Sequence, residues 1–289
     1  MASTRALKTR IRSVGSTKQI TKVMQLVSAS KMRRAQEATK ASEAYTNAAH
    51  ALLANIGAQT EVKNHPLFAH REVKTRLLIV IASDKGLAGA YNSNILKLYA
   101  KQLREDEAAK IKTVTITVGR KVSQFAARIK TTEVIGAYEE LPDRPDGSEL
   151  RGIMDTIRDQ FTTGSVDAVD LLYTDFVSSI TQTPRIDRVL PAGYDETLTA
   201  TGRDVTYEPS IEEVLDGIAF RLVEAEIFQA LLDARASEHS MRMIAMKNAT
   251  DNANDLIEDL TLEMNKARQA AITQELAEIS GGVEAMNEK

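Results

Sequence analysis

A chain of 289 residues has room for one or two domains, and with 27% charged residues, 4% aromatics and no Trp it suits long solvated helices better than a dense aromatic core. The absence of Cys excludes a disulfide framework, a thiolate metal site and a cysteine nucleophile. The formal net charge of -3 conceals a polarity: residues 1–40 carry Arg5, Lys8, Arg10, Arg12, Lys18, Lys22, Lys31, Arg33, Arg34 and Lys40 against Glu37 alone, whereas acids outnumber bases toward the C-terminus. Helical segments of opposite sign attract when laid side by side.

The basic N-terminus lacks the apolar segment of a secretory signal and is expected to be mature structure. Residues 16–55 contain no Gly or Pro, with Gly15 and Gly57 as punctuation, which predicts a long helix. Ala35, Ala38, Ser42, Tyr45, Ala49, Leu52 and Ile56 follow alternating steps of three and four, the spacing of a coiled-coil seam. Leu7, Ile11 and Val14 form one earlier piece, and Ile20, Met24 and Val27 another that is out of phase with it. A slip at residues 13–17 is therefore expected to unwind the supercoil locally. The seam is rich in Ala and Ser, so two helices can approach closely while burying little area.

His65-Pro66 ends this region, and the character of the chain changes. The apolar run at residues 77–82 reads as a buried strand and is too short to span a bilayer. A helix is expected over 92–107, a strand over 112–118, a short helix over 119–128 and a strand over 132–135. A loop follows at 143–147, then a helix over 149–161. Strands are expected over 167–176 and over 185–190, the latter bounded by Pro184 and Pro191. Strands alternating with helices argue for a small α/β domain with a mainly parallel sheet. Residues 194–208 lead into a final helical region.

From residue 218 to residue 280 there is no Gly or Pro. Steps of four and three pass through Ile211, Leu215, Ile218, Leu222, Ala225, Gln229, Leu232, Ala236, His239, Met243, Met246, Thr250, Ala253, Ile257, Leu260, Met264, Ala267 and Ala271. A period of 3.5 held this long is a coiled-coil signature, and a helix of this length runs roughly 100 Å. The fold class expected is α/β with long helices. The N- and C-terminal helices, residues 1–60 and 209–289, pair as an antiparallel coiled-coil shaft, with a Rossmann-like domain inserted at 74–200.

Little in the chain points to chemistry. The loop at 83–92 follows a strand and opens a helix, where phosphate loops sit, but its Gly86 and Gly89 do not make a dinucleotide or phosphate-loop fingerprint. His50, His65, His70 and His239 have no partners at metal-ligand spacing, and His239 falls on the seam. The basic N-terminal segment could attract nucleic acid by charge, but no aromatic precedes Tyr45 on which bases could stack. No cofactor, metal or nucleic-acid partner is expected.

Four segments are specific. Residues 12–34 (RSVGSTKQITKVMQLVSASKMRR), 237–252 (SEHSMRMIAMKNATDN) and 265–279 (NKARQAAITQELAEI) resemble the signatures of the γ subunit family of F-type ATP synthases, and residues 83–94 (SDKGLAGAYNSN) resemble its S-D-[RK]-G-L-x-G-x-x-N-x-N loop. Ala88, Ala90 and Tyr91 depart from the more usual loop residues, and no cysteine-bearing insert of the chloroplast type is present. The resemblance implies a central-stalk rotor that couples c-ring rotation to conformational cycling of the β catalytic sites in ATP synthesis, with no bond chemistry of its own. It implies three α and three β subunits, an ε subunit and a membrane c-ring as partners. Its expected location is peripheral, on the cytoplasmic side of a bacterial inner membrane, with membrane contact through partner subunits alone. Carried over by motif, Met24, Arg242, Arg268, Gln269 and Thr273 are the candidates for subunit contact or for communication between the two helices. The alternative is a nucleotide-binding α/β enzyme with a coiled-coil arm.

Overall fold

The computed structural model describes residues 4–57, 65–142, 147–192 and 211–287. The boundaries expected near residues 60 and 200–209, and most of the 143–147 loop, lie outside the described residues. The chain divides into two compact units: residues 1–27 with 243–289, and residues 28–242.

The larger unit is built on a five-stranded sheet of order β3-β2-β1-β4-β5. β1 (Thr75–Ile81), β2 (Lys112–Val118), β3 (Thr132–Tyr138) and β4 (Ala168–Phe176) run parallel, and β5 (Gln182–Leu190) returns antiparallel to β4. β1 is central because both of its faces are apolar: Leu77, Ile79 and Ile81 point to one side, Leu78 and Val80 to the other. β5 begins earlier than expected and contains Pro184. A proline donates no ladder hydrogen bond, and β5 tolerates it as an edge strand.

On the Leu78 face pack α2 (Tyr91–Ala108), through Ile95, Tyr99 and Leu103, and α3 (Arg120–Ala126), through Val122 and Ala126. The opposite face carries the larger core. α4 (Arg151–Thr162) contributes Ile153, Ile157 and Phe161 to it. α1 (Thr4–Gly57) contributes Ala49, Leu53 and Ile56, and α5 (Ile211–Asn287) contributes Val223, Ile227, Ala230, Leu231 and Ala234. A charge network joins four elements at the sheet. Arg76 of β1 pairs with Asp106 of α2 at 3.2 Å and with Asp170 of β4, which Arg188 of β5 also reaches.

Within this unit α1 and α5 run antiparallel. His50 of α1 meets Glu226 of α5 at 3.0 Å, while Thr39, earlier in α1, lies beside Asp233, later in α5. The inward positions of α1 here are Ala35, Thr39, Ser42, Thr46, Ala49, Leu53 and Ile56. Three of the seven expected seam positions are therefore displaced by one residue: Ala38, Tyr45 and Leu52 are exposed, and Thr39, Thr46 and Leu53 take their places. Polar Thr on the seam and apolar Tyr45 and Leu52 off it make the hydrophobic pattern point the wrong way.

The terminal unit contains the first half of α1 and the second half of α5. α1 is one helix of 54 residues through Gly15, so the expected slip at residues 13–17 does not break it. Its inward residues step through Leu7, Ile11, Val14, Lys18, Thr21 and Gln25 without a change of phase. Ile20, Val23, Leu26 and Val27 are instead exposed, Ile20 by 61%. Thr21 Oγ1 lies 2.8 Å from Thr250 Oγ1 of α5, a buried hydroxyl pair that satisfies two seam positions a hydrophobic pattern cannot register. Along α5, Met246, Thr250, Ala253 and Leu260 are buried and Ile257, Met264 and Ala267 half-buried, as the four-three spacing predicts. Residues 268–282 are exposed throughout, including Ala271. Side chains at Ile211, Leu215 and Ile218 lie outside the described set.

Candidate functional site

The 83–92 loop leaves the C-terminal end of β1, where a parallel sheet presents its ligand crevice. Its own residues first fix it in place. Ser83 N–H and Oγ both donate to Asn92 Oδ1, at 3.1 and 2.9 Å, which ties the loop's start to the first turn of α2. Asp84 Oδ1 accepts from the backbone N–H groups of Arg120 and Glu140, at 3.0 and 3.1 Å, so it holds the start of α3 and the end of β3. Gly119 makes that close approach possible. Its φ is +101°, and a Cβ there would lie 2.2 Å from the carbonyl oxygen of Ala82.

The loop then turns its carbonyls, rather than its N–H groups, toward α5. Arg242 donates to the oxygens of Lys85 and Gly86 at 3.3–3.4 Å and to Glu238 Oε1 at 2.8 Å. Arg235 donates to Glu238 Oε2 at 3.2 Å and to the oxygen of Leu141 at 2.9 Å. Arg235, Glu238 and Arg242 are at most 9% exposed, so a carboxylate is held between two guanidinium groups largely out of water. Tyr91 packs beside them, and burial, reinforced by the charge of Glu238, pushes its phenol well above the usual range.

On another side of the same helix, Ser237 Oγ donates to the oxygen of Thr174 at 3.1 Å and Ser240 Oγ to that of Ser179 at 2.6 Å. Gln182 Nε2 donates to Ser240 Oγ at 3.3 Å. The segment at 235–242 is thus a row of polar fasteners that grips the loop on one side and the β4–β5 hairpin on the other. Phosphate recognition at a strand-to-helix loop uses converging N–H donors, whereas this loop offers carbonyl acceptors already met by arginine. Among the described residues no group of three or more His, Asp or Glu is arranged to hold a metal ion.

The expected site residues do not converge. Arg242 is 8% exposed inside the larger unit, bonded to Glu238 four residues before it and to the loop. Met24 is half-buried in the terminal unit. Arg268, Gln269 and Thr273 are exposed on α5 in that unit, where Thr273 Oγ1 donates back to the oxygen of Gln269 at 2.9 Å. Sequence reasoning missed Arg235, Glu238, Ser237 and Ser240. The three-and-four spacing of Arg235, Glu238 and Arg242 on one helix was the available signal.

A family model described as ATP synthase matches residues 3–286. The ATP synthase gamma chain of Ralstonia nicotianae is 40% identical over 99% of this chain and 100% of its own length. That of Moorella thermoacetica is 40% identical with the same coverage. Among solved structures, a chain of the Tetrahymena thermophila mitochondrial ATP synthase central stalk and c-ring assembly aligns at TM-score 0.64 and 24% identity. The alignment covers 80% of this chain and 99% of that one. A chain of the Euglena gracilis mitochondrial ATP synthase aligns at TM-score 0.68 and 17% identity, over 98% and 94%. At these identities the structures speak for a shared fold, and the sequence relatives carry the assignment. With a match that runs from end to end, over both terminal helices and the inserted sheet, the chain belongs to the ATP synthase gamma chain family.

Proposed function

We propose that this chain is the central-stalk rotor of the F1 part of a proton-translocating ATP synthase, coupling c-ring rotation to the conformational cycle of the β catalytic sites without bond chemistry of its own. The observation that carries the reading is the end-to-end identity of about two residues in five with curated gamma chains, over a fold whose two longest helices are its termini. A rotor needs contacts that hold and release, and the terminal unit offers them. Its outward faces carry apolar residues at three-and-four spacing, Ile20, Val23 and Val27 on α1 and Ile272, Leu276 and Ile279 on α5, among exposed charged and small residues.

The partners in this reading are three α and three β subunits around the terminal helices, with ε and the c-ring at the inserted domain. In this reading the chain reaches the membrane through those partners; among the described residues no helix is long and apolar enough to cross one. The expected place is the cytoplasmic side of a bacterial inner membrane. Met24, Arg268, Gln269 and Thr273 act at the contact with the ring, and Arg242 acts in communication between α5 and the sheet.

The test is co-expression with the α and β subunits of the same cell. A complex with three α and three β per copy of this chain, in which a bead on an introduced cysteine turns as ATP is hydrolysed, is the expected result. Failure to assemble, or assembly without rotation, refutes it. Saturable ATP hydrolysis by the purified chain alone would favour the nucleotide-enzyme alternative.

A further inference from the structure

Asp233 of α5 is buried against a cleft of about 1010 Å³ bounded by α1, β4 and β5, all within the larger unit. Among the described residues, a carboxylate there has no cation of its own. From α1 the cleft receives Lys40, Glu43 and His50; from β4, Tyr173 and Asp175; from β5, Arg185, Asp187 and Arg188; and from α5 itself, Glu226. The basic groups are engaged elsewhere. Arg188 is on Asp170, Arg185 lies 2.8 Å from Asp187 and 3.7 Å from Asp175, His50 is on Glu226, and Lys40 is solvent-exposed. Tyr173 donates its hydroxyl to Asp187 at 2.9 Å.

What Asp233 meets is like charge and weak donors. Asp175 and Glu43 are the carboxylates that act on it, and the Gln229 amide stands at 3.4–3.5 Å. The Thr39 hydroxyl is near enough to favour the ionised form by pointing its proton at the carboxylate, yet its Oγ1 makes no well-formed hydrogen bond. Thr39 Oγ1 and Gln229 Oε1 are both buried without a hydrogen-bond partner among the described residues. The Gln229 oxygen only accepts and calls for a proton donor, which a carboxyl group is only when protonated; the Thr39 hydroxyl can accept from the acid or donate to the carboxylate. The Gln229 oxygen and nitrogen exchange places by a side-chain flip, which turns Oε1 to Asp233. Burial, followed by the charge of Asp175, pushes this carboxyl from its ordinary 3.8 up to about 7.

We propose that Asp233 is a proton-operated latch between α5, α1 and the β4–β5 hairpin: protonated, it donates to Gln229 or Thr39 and lets the cleft close; ionised, it repels Asp175 and Glu43 and the cleft widens. The proposal needs only the isolated chain and is independent of the rotor reading. The direction with pH follows from linkage. A closed cleft, with Asp233 buried beside Asp175 and Glu43, binds this proton more tightly than an open, hydrated one, so the closed form is favoured at acid pH and loses ground as pH rises toward about 7.

The chain has no cysteine of its own, so spin labels on cysteines placed at exposed Ala48 of α1 and Thr183 of β5 report the width of the cleft by pulsed EPR. From about pH 6 to about pH 8.5 the wild-type distance lengthens, with a midpoint near neutrality. Asp233→Asn keeps the short distance throughout, Asp175→Asn moves the midpoint to lower pH, and His50→Gln retains the transition. A wild-type distance that does not change with pH overturns the proposal. So does opening of Asp233→Asn like the wild type, or loss of the transition in His50→Gln. Where Asp233→Asn does not fold, an unmoved midpoint in Asp175→Asn refutes it.

Discussion

Replacing Arg242 by Met keeps most of the aliphatic volume and removes the guanidinium, which isolates the fastening between α5 and the 83–92 loop. The lost contacts are one charge-assisted hydrogen bond to Glu238 at 2.8 Å and three long ones to the carbonyls of Lys85 and Gly86. A hydrogen bond to a charged group contributes about 1.5–3 kcal/mol, and bonds at 3.3–3.4 Å add well under that. Glu238 is not stranded, because Arg235 remains at 3.2 Å, so the larger cost of about 3–5 kcal/mol for an orphaned buried charge does not apply to the single variant. Arg242→Met should therefore lower stability by about 3 kcal/mol in urea unfolding followed by circular dichroism. The double variant Arg235→Met/Arg242→Met does strand Glu238, so its loss should exceed the sum of the singles by about 1–2 kcal/mol. A single-variant loss below about 0.5 kcal/mol, or strict additivity in the double, would show that this network does not hold the loop to the helix.

Gly119→Ala forces a Cβ to within 2.2 Å of the Ala82 oxygen at a φ no other residue favours, so the chain should fail to give a cooperative thermal transition. A variant that melts like the wild type would mean the backbone there relaxes freely. Thr250→Val leaves Thr21 only its bond to the oxygen of Lys18, at 3.0 Å, with nothing polar across the seam, and should cost about 1 kcal/mol, whereas Thr21→Val/Thr250→Val should recover most of that in the same unfolding assay. A double variant less stable than the single would refute the hydroxyl-pair account. Arg268→Ala, at an exposed position, should change the stability of the isolated chain by less than about 0.5 kcal/mol yet weaken assembly with α and β subunits or coupled turnover. Unchanged assembly and turnover would remove Arg268 from the contact set.

The sheet was legible because its burial is two-sided and apolar. Residues 77–82 could hardly be anything but an inner strand, and the Val, Ile and Thr of β2 follow strand preference. α5 was legible from Met246 to Ala267 because, Thr250 apart, its seam residues there are apolar. α1 was not. Its inward residues Lys18, Thr21, Gln25 and Thr39 are polar, while Ile20, Val23 and Tyr45 face outward, so a hydrophobicity pattern reports a different face from the one that packs on α5. Hydrophobic periodicity registers every surface a residue avoids exposing, including one covered only in an assembly. Under the rotor reading that surface is the one turned to the ring. Arg242 stood out by motif, but nothing in the chain distinguishes an arginine that reaches a partner from one that reaches two backbone carbonyls 156 and 157 residues away.

α5 is enclosed on every face over residues 231–240 and bare on every face over 268–282. Over the first stretch the side chains are spent on their own chain, through hydrogen bonds at Ser237, Ser240 and Arg242; over the second, under the rotor reading, they are left for the ring to cover.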